Sequence, residues 1–315
     1  MKMSNIKIIK DIQSYIIGNN EFSFIESSLS TTHYPINLDF TLQKEKYYYE
    51  PKDNNGIPIR IYNSVGQQYN PTRVAAYGLA HYNQYLNTNS EDNLYTFIKV
   101  ADWFMQRSRD GKWVYEFPWG DLRPPWISAM AQGEGISVLV RAWFVTGDRK
   151  YLQRAVDAAE PFKVEIEDGG VRSALADGSP FLEEYPTTKP EHVLNGFLYA
   201  VIGLTDLYRT KKWVAPEEIS PKLFIEVLNR RLSDWDLGCW SAYDTSFVKG
   251  YFRNYTTVSY HRLHITQLKY LGRFWQSKAI ENVANKWDTA EKSVKCRIKA
   301  MMYKMIYRTI VKAER

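Results

Sequence analysis

Hydrophobic and polar residues follow a helical pattern from about residue 70 to about residue 290. The stretch PTRVAAYGLAHYNQYL starts with Pro71 and carries apolar residues at Val74 and Tyr77, whereas EDNLYTFIKVADWFMQRS opens with acidic residues and ends near an arginine. Proline and acidic residues are typical of the first turn of a helix, and basic residues of the last. The pattern therefore predicts one helix over 71–86 and a second over 91–108.

The same two-helix unit recurs three more times. The first helix of a pair carries small residues among large ones, as in AAYGLA, AQGEGIS and LNGFLYAVIG, and the second is more charged. Because small residues let helices approach closely, we expect the first helices to form an inner ring and the second helices to face solvent. The predicted architecture over residues 61–290 is a closed toroid of helical hairpins, and an open solenoid is the alternative. The later pairs are 126–147 with 148–162, 192–210 with 220–235, and 260–275 with 276–290.

The two ends of the chain differ from this helical region. Residues 1–60 contain runs of β-forming residues, such as FSFIESSLS and INLDFTLQKEKYYYE, and predict a short β-rich N-terminal arm. Residues 291–315 have apolar residues at helical spacing among lysines and arginines. They predict a basic amphipathic helix, which either docks on its own domain or makes peripheral contact with an anionic membrane.

Three loops rich in aromatic and charged residues precede predicted inner helices, at 113–125, 165–190 and 235–259. In a toroid they would meet at one end, and loops on a rigid scaffold are where function concentrates. The second loop contains LEEYPTT, in which Pro186 favours an extended conformation for the tyrosine before it. This segment can present two carboxylates and a phenol, and we expect the cleft at this end.

Composition favours a polyanionic partner without naming one, and an acidic glycan is one such partner. Aromatic residues make up 15% of the chain, and sugar-binding clefts are one use for such a surplus, although a compositional bias is the alternative. The formal charge of +6 and the pI of about 9.0 favour a polyanion. Because no zinc-finger spacing, RNP-like motif or long basic run is present, we predict no nucleic acid and expect an acidic polysaccharide or oligosaccharide.

Other features bear on location and on metal or cofactor sites. Cys239 and Cys296 form no CxxC motif, and so few cysteines are typical of a reducing compartment. The N-terminus lacks a signal-peptide core and no run of about 18 apolar residues occurs, so we predict a cytoplasmic location. His261 and His264 have a ligand-like spacing without a third ligand, and no phosphate-binding loop or dinucleotide motif is present, so we predict no metal and no cofactor.

Four motifs carry a resemblance to a known family. The strings AAYGLAHYNQYL, ISAMAQGEGISVLVRA, EEYPTT with VLNGFLYAVIGLTDLY, and SYHRLHITQL resemble the C-terminal catalytic domain of D-glucuronyl C5-epimerases over roughly residues 60–275. Those enzymes convert glucuronate to iduronate within heparan-type chains. The resemblance implies an (α/α) barrel and a uronyl C5-epimerase that acts on a heparosan-like polysaccharide or oligosaccharide.

The resemblance also implies catalytic residues. They are Tyr185 in EEYPTT, Tyr243 in SAYDTS and Tyr260, which precedes the histidine of the last motif, and Glu184 is implicated with them. Epimerisation at C5 needs one proton carrier on each face of the sugar, and a phenol suits a weak carbon acid because its pKa is about 10. We place Tyr260 on one face and Glu184 with Tyr185 on the other, with Tyr243 orienting or relaying.

The chain departs from the animal members of the family. They have one arginine shortly after the Tyr-Asp pair and another before the last tyrosine, and they carry an additional β-domain. The corresponding places here hold Thr245, Ser246, Phe247 and Thr257, and the nearest cation is Arg253. The candidate residues for contact with the substrate and its carboxylate are Tyr69, Arg73, Gln132, Asn195, Arg253, Asn254 and His261.

Three other functions remain open at this point. A polysaccharide lyase begins with the same proton abstraction and then expels the C4 substituent. A glycoside hydrolase needs two carboxylates at a set separation, and a non-catalytic acidic-glycan-binding protein would use the aromatic and basic residues alone. A homodimer that completes the cleft is a further alternative to a monomer. The carboxylates considered for the hydrolase are Glu116, Asp121, Glu184 and Asp244.

Overall fold

The computed structural model describes residues 12–18, 21–248 and 250–311, and this part of the chain is mainly helical. The long helices are α1 (Pro71–Thr88), α2 (Glu91–Arg107), α3 (Ala129–Thr146), α4 (Arg149–Asp157), α5 (Leu194–Arg209), α6 (Pro221–Arg231), α7 (Val258–Phe274), α8 (Lys278–Lys292) and α9 (Val294–Ile310). Three antiparallel hairpins pair β1 (Arg60–Tyr62) with β2 (Gly66–Gln68), β3 (Arg172–Ala174) with β4 (Pro180–Leu182), and β5 (Ala242–Val248) with β6 (Phe252–Tyr255).

The four predicted helix pairs are confirmed as α1 with α2, α3 with α4, α5 with α6, and α7 with α8. The first helices of the pairs pack side by side in the order α1, α3, α5, α7. Helix α5 is buried along nearly its whole length, whereas α8 buries one face through Ile280, Ala284, Trp287 and Glu291. For these two helices the predicted difference in burial between a first and a second helix is observed.

The N-terminal segment differs from the predicted β-rich arm. Over residues 21–59 the backbone forms a 3-10 turn (Glu26–Leu29) and two short helices (Asp39–Gln43 and Glu45–Tyr48), with isolated bridges in place of strands. Helical turns let Phe40 pack edge-to-face on both Phe22, at 4.9 Å, and Tyr48, at 5.5 Å. Tertiary packing thus overrides the local β preference of these residues. Residues 1–11 and 19–20 of the predicted arm lie outside the described residues.

Two glycines bring α3 and α5 into backbone contact. A Cβ atom on Gly203 would lie 2.3 Å from the carbonyl oxygen of Gly133, and one on Gly133 would lie 2.4 Å from the carbonyl oxygen of Tyr199. Such distances are far shorter than any carbon–oxygen contact, so neither position accepts a side chain. The small residues of AQGEGIS and LNGFLYAVIG thus set how closely the two central helices cross.

A buried ion pair joins the same two helices. Arg141 donates to Asp206 at 2.6 and 3.2 Å, and both side chains are almost fully buried. The guanidinium also donates to the carbonyl oxygen of His33 and lies over the ring of Tyr34, so it fixes the N-terminal segment to α3 and α5. An ion pair at this depth is satisfied only while every partner is present.

The C-terminal helix α9 docks on its own domain. Tyr303 stacks on Tyr255 of β6 at 4.8 Å, and Lys304 donates to Asn254 at 2.7 Å. Arg297 donates to the carbonyl oxygens of Tyr15 and Glu291. Residues 312–315 of the predicted helix lie outside the described residues. No helix in the described part of the chain is both long and apolar enough to span a membrane.

We predict that Asp206→Asn lowers the free energy of unfolding by about 3–5 kcal/mol, because it leaves the Arg141 guanidinium charged and without its counter-ion in the core. Urea unfolding followed by circular dichroism measures this change. The matched control is Glu116→Gln, which breaks the pair between Arg109 and Glu116, whose side chains are 65% and 49% exposed. The control should cost no more than about 1 kcal/mol. Equal losses in the two variants would contradict the structural role of the buried pair.

Candidate active site

A cavity of about 70 Å³ lies at the N-terminal end of the inner helices. Thr72 belongs to the first turn of α1, Met130 to the first turn of α3, and Glu184 to the loop that precedes α5. The predicted meeting of loops at one end is therefore observed for the loops that contain residues 115–126 and 184–185. The cavity is lined by Tyr62, Asn70, Thr72, Tyr115, Phe117, Trp119, Trp126, Ser128, Met130, Glu184 and Tyr185.

The two carboxylates of LEEYPTT point to different partners. Glu183 is buried, accepts a hydrogen bond from the Ser173 hydroxyl at 2.6 Å and lies 2.6 Å from His192 Nδ1, so it anchors the loop. Glu184 lines the cavity and accepts a hydrogen bond from the Asn195 amide at 3.2 Å. Side chains of an extended segment alternate in direction, and Pro186 favours that conformation for the residue before it. The first carboxylate is structural and the second is available for chemistry.

Gly196 makes the space that Glu184 occupies. A Cβ atom at this position would lie 2.5 Å from Cβ of Glu184 and 2.7 Å from its Oε2 atom. The N-terminus of α5 therefore carries a notch, bounded by Asn195, into which the carboxylate fits. This contact explains why Asn195 and Gly196 of VLNGF accompany the glutamate of EEYPTT.

The three predicted catalytic tyrosines come together beside Glu184. The rings of Tyr243 and Tyr260 meet edge-to-face with centroids 5.4 Å apart. Burial raises the pKa of Tyr185 well above its ordinary value, and negative charge on Glu184, Tyr243 and Tyr260 would raise it further. These neighbours identify all four residues as one group. At neutral pH Tyr185 retains its proton and can act as a proton donor.

Aromatic rings form one wall of the cavity. Tyr115 and Trp126 stack in parallel with centroids 4.1 Å apart, and Tyr62 lies 4.8 Å from Phe117 and 6.0 Å from Trp119. Such a surface suits the apolar face of a pyranose ring. The sequence carries a signal for this wall. Aromatic residues alternate along WVYEFPW, and alternate positions share one face of an extended segment.

Sequence reasoning also missed two buried polar residues at the start of α3. Ser128 lines the cavity, and within the described residues its buried hydroxyl oxygen has no hydrogen-bond partner. Glu134 lies one helical turn beyond Met130, is buried, and has an Oε2 atom without a partner in the same set of residues. Burial, and then the charge of Glu184, raise the pKa of Glu134 well above its ordinary value. An acid among the glycines of AQGEGIS gave no sign of burial.

Two residues predicted to contact substrate are used inside the fold. The side-chain amide of Gln132 donates to the carbonyl oxygens of Gly111 and Ala158 and accepts from the Trp113 backbone. His261 is fully buried, and its Nδ1 atom accepts a hydrogen bond from the Ser241 backbone at 3.2 Å. Burial lowers the pKa of His261 well below its ordinary value, so the ring is neutral. Neither side chain faces the cavity.

Tyr69 and Arg73 also lie away from the cavity lining. Tyr69 donates to Asp53 at 2.6 Å and packs on Trp103. Arg73 follows Thr72 on α1, but it donates to the carbonyl oxygen of Glu50, and burial lowers its pKa.

The remaining candidates belong to the β5–β6 hairpin. Arg253 donates to the carbonyl oxygens of Asp234 and Asp244, and Asn254 donates to the Asp244 carboxylate at 2.7 Å. These bonds shape the hairpin that carries Tyr243. Among the seven predicted contact residues, and within the described part of the chain, Asn195 is the one whose side chain bonds to a side chain of the cavity wall.

The two histidines of α7, His261 and His264, belong to no metal-binding group in the described residues. Among residues 12–18, 21–248 and 250–311, no three His, Cys, Asp or Glu side chains form a group that could hold a metal ion. His264 lies 3.0 Å from the Ser241 hydroxyl, and burial lowers its pKa to about 3.

The chain matches a family described as D-glucuronyl C5-epimerase C-terminus over residues 106–289. It is 33% identical over 223 residues to a D-glucuronyl C5-epimerase of Caenorhabditis elegans, an alignment that covers 65% of this chain and 36% of that protein. It is also 32% identical over 136 residues to the uncharacterised protein MJ1128 of Methanocaldococcus jannaschii, which covers 42% of this chain and 44% of that protein. The chain thus spans less than half the length of these curated relatives.

Similar solved structures are more distant. An unsaturated glucuronyl hydrolase of Bacillus sp. GL1 aligns with a TM-score of 0.47 and 14% identity, over 80% of this chain and 64% of that one. An unsaturated glucuronyl hydrolase of Streptococcus agalactiae gives a TM-score of 0.46 and 18% identity, over 74% and 58% of the two chains. Both are too distant to support an argument about fold or activity.

We predict that Glu134→Gln changes how stability depends on pH. In the unfolded chain a glutamate loses its proton near a pKa of about 4.3, whereas the raised pKa of Glu134 makes the folded protein hold the proton to higher pH. The folded state then binds more protons in this window, so the free energy of unfolding falls as pH rises through it. The variant lacks this loss and should gain stability relative to wild type from pH 5 to neutral pH and above.

Urea unfolding at several pH values measures the difference between wild type and Glu134→Gln. A difference that stays constant across the range would show that Glu134 is ionised in the fold and would contradict the assignment.

Proposed function

Because the chain belongs to the D-glucuronyl C5-epimerase family through that family's C-terminal region, we propose that it is an isomerase that converts D-glucuronate to L-iduronate residues. We propose a heparosan-like polysaccharide or oligosaccharide as the substrate. The observation that carries the proposal is the group formed by Glu184, Tyr185, Tyr243 and Tyr260, which come from three separate segments of the matched region.

The reaction needs a proton removed from C5 on one face of the ring and returned on the other. Tyr185 keeps its proton at neutral pH because burial and Glu184 raise its pKa, so we assign it as the donor. Tyr260 is 42% exposed and lies in the first turn of α7, where the helix dipole favours a phenolate. We assign Tyr260 as the proton acceptor, with Tyr243 against its ring as the residue that orients it.

The substrate carboxylate, and the enolate that forms from it, need stabilisation by positive or donor groups. The arginines of the animal enzymes are absent, and Arg253 already donates hydrogen bonds to two backbone carbonyl oxygens. Helix α3 begins at the cavity, through Ser128 and Met130, without a side-chain cap, and partial positive charge accumulates at such an end. We propose that this helix end, with the hydroxyl of Ser128, binds the carboxylate.

The dimensions of the cavity favour a polymer that lies across an open cleft. A volume of about 70 Å³ is well below the roughly 300–1,000 Å³ of pockets that enclose a whole small molecule. It holds part of one sugar residue against Tyr115 and Trp126, while the neighbouring residues of the glycan extend past the exposed Tyr260.

We also propose that the helical hairpins form an (α/α) barrel closed by the N-terminal segment. The inner helices contact one another consecutively from α1 to α7. The turn Glu26–Leu29 packs on α7 and the helix Asp39–Gln43 packs on α1, so the N-terminal segment bridges the first and last inner helices.

The carboxylates considered for a glycoside hydrolase do not meet at the cavity. Glu184 lines it, whereas Glu116 pairs with Arg109 at 2.6 Å and Asp244 bonds to Asn254 and Ser246. The lyase alternative uses the same first step as epimerisation, so it is separated by products rather than by geometry.

We predict that the purified protein incorporates deuterium at C5 of a heparosan oligosaccharide in deuterated water and forms iduronate. Tyr185→Phe and Tyr260→Phe should each lower the exchange rate by about a hundredfold or more, because each removes one proton carrier. Mass spectrometry and NMR measure the exchange and the new sugar.

The control for these variants is Tyr95→Phe on α2, where the side chain is 66% exposed and remote from the cavity. It should exchange at the wild-type rate. Unsaturated ends on shortened chains would make the protein a lyase. Binding without exchange on any uronate glycan, unchanged by Tyr185→Phe, would favour the non-catalytic binding protein.

We predict that Gly196→Ala abolishes most activity while the protein stays folded. The added methyl group would occupy the position of the Glu184 side chain and displace it from Asn195. The expected loss of C5 exchange is comparable to that of Glu184→Gln. The control is Gly272→Ala in α7, a close helix contact outside the cavity lining, where a Cβ atom would lie 2.8 Å from Cγ of Glu281 and 3.2 Å from its backbone nitrogen. Full activity in Gly196→Ala would contradict the role of this notch.

A further inference from the structure

The outward face of α9 is apolar. Val294, Ile298, Met302, Met305 and Ile306 are each between 39% and 56% exposed. Their spacing of four, four, three and one residues places them on one stripe of an α-helix, at 100° per residue. Long apolar side chains are normally found singly on a protein surface, so a continuous stripe calls for a partner.

The opposite face of α9 is already used by the domain. Ala300 is fully buried, Tyr303 stacks on Tyr255, and Arg297 donates to backbone carbonyls. The helix is therefore held in one orientation. The apolar stripe points away from every segment in the described part of the chain that α9 packs against.

Cations border the stripe, and acids are absent from the helix. The residues from Ser293 to Val311 include three lysines and two arginines but no aspartate or glutamate. Lys295 and Lys299 are exposed along one edge of the stripe, and Arg308 lies along the other. An apolar stripe edged by lysine and arginine is typical of a helix that lies in the interface of an anionic membrane.

We propose that α9 binds the surface of an anionic lipid bilayer, with the apolar stripe in the headgroup region and the flanking cations on the lipid phosphates and carboxylates. A helix of 17 residues lying flat presents about 25 Å of surface. No described helix could span a bilayer, so this is a contact with one leaflet.

The positive charge of α9 argues against a second copy of the chain as the partner of the apolar stripe. A symmetric dimer would place this stripe against itself and would bring two acid-free cationic helices together. Like charges in such a contact repel, whereas an anionic bilayer satisfies both the apolar and the cationic residues.

The test is flotation of the full chain with vesicles of phosphatidylcholine, with and without phosphatidylserine. We expect binding to the anionic vesicles that weakens at high salt, and little binding to the neutral ones. The double variants Ile298→Ser/Met302→Ser and Lys295→Glu/Lys299→Glu should each reduce binding by at least about tenfold. The control is Val214→Ser, which removes a 93% exposed apolar side chain elsewhere and should bind as wild type does.

Three results would overturn the proposal. The first is wild-type protein that does not float with anionic vesicles, and the second is a variant Ile298→Ser/Met302→Ser that floats as well as wild type. The third is a concentration-dependent dimer in solution that this variant dissociates, which would assign the stripe to a second copy. Circular dichroism and C5 exchange on a soluble oligosaccharide should be unchanged in the variant, so failure here is distinguishable from failure of the proposed enzymatic function.

Discussion

The site depends on one steric constraint, the backbone contact of α3 and α5 at Gly133 and Gly203. Because neither position accepts a side chain, the two helices cross closely enough for Met130 and Glu134 of one to face Asn195 and Tyr199 of the other. Met130 lines the cavity, and Asn195 bonds to Glu184 in its wall. The buried pair of Arg141 with Asp206 holds the same helices farther along and adds the N-terminal segment to them.

Electrostatics in the cavity follow from exclusion of water more than from ion pairing. Burial is the largest cause of the raised pKa values of Tyr185, Tyr199 and Glu134, and the negative charge of neighbouring acids adds to it. Tyr185 and Tyr199, whose ordinary pKa is already about 10, hold their protons at neutral pH. Neutral donors beside the uncapped end of α3 suit a substrate that brings its own negative charge.

Periodicity and motifs predicted the helix pairs, the end of the molecule where the cleft lies, and the group of Glu184 with three tyrosines. These predictions failed where tertiary contacts determine the local conformation or the partners of a side chain. The β-forming residues near Phe40 adopt helical turns because the rings of Phe22 and Tyr48 pack on it. The side-chain amide of Gln132 donates to backbone carbonyls of two turns, and no sequence pattern places those turns beside it. Glu134 was overlooked because an acid between glycines looks exposed in a sequence. The cytoplasmic location and a homodimer stay predictions.

The β5–β6 hairpin connects the surface helix to the cleft. Lys304 of α9 donates to Asn254, Asn254 donates to Asp244, and Asp244 follows Tyr243 in the chain. A chain of two hydrogen bonds thus runs from α9 to the strand that carries Tyr243. The helix that bears the apolar stripe and the strand that carries Tyr243 thus share Asn254, which bonds to both of them. The hairpin is therefore one structural element that borders both the cleft and the outer surface of α9.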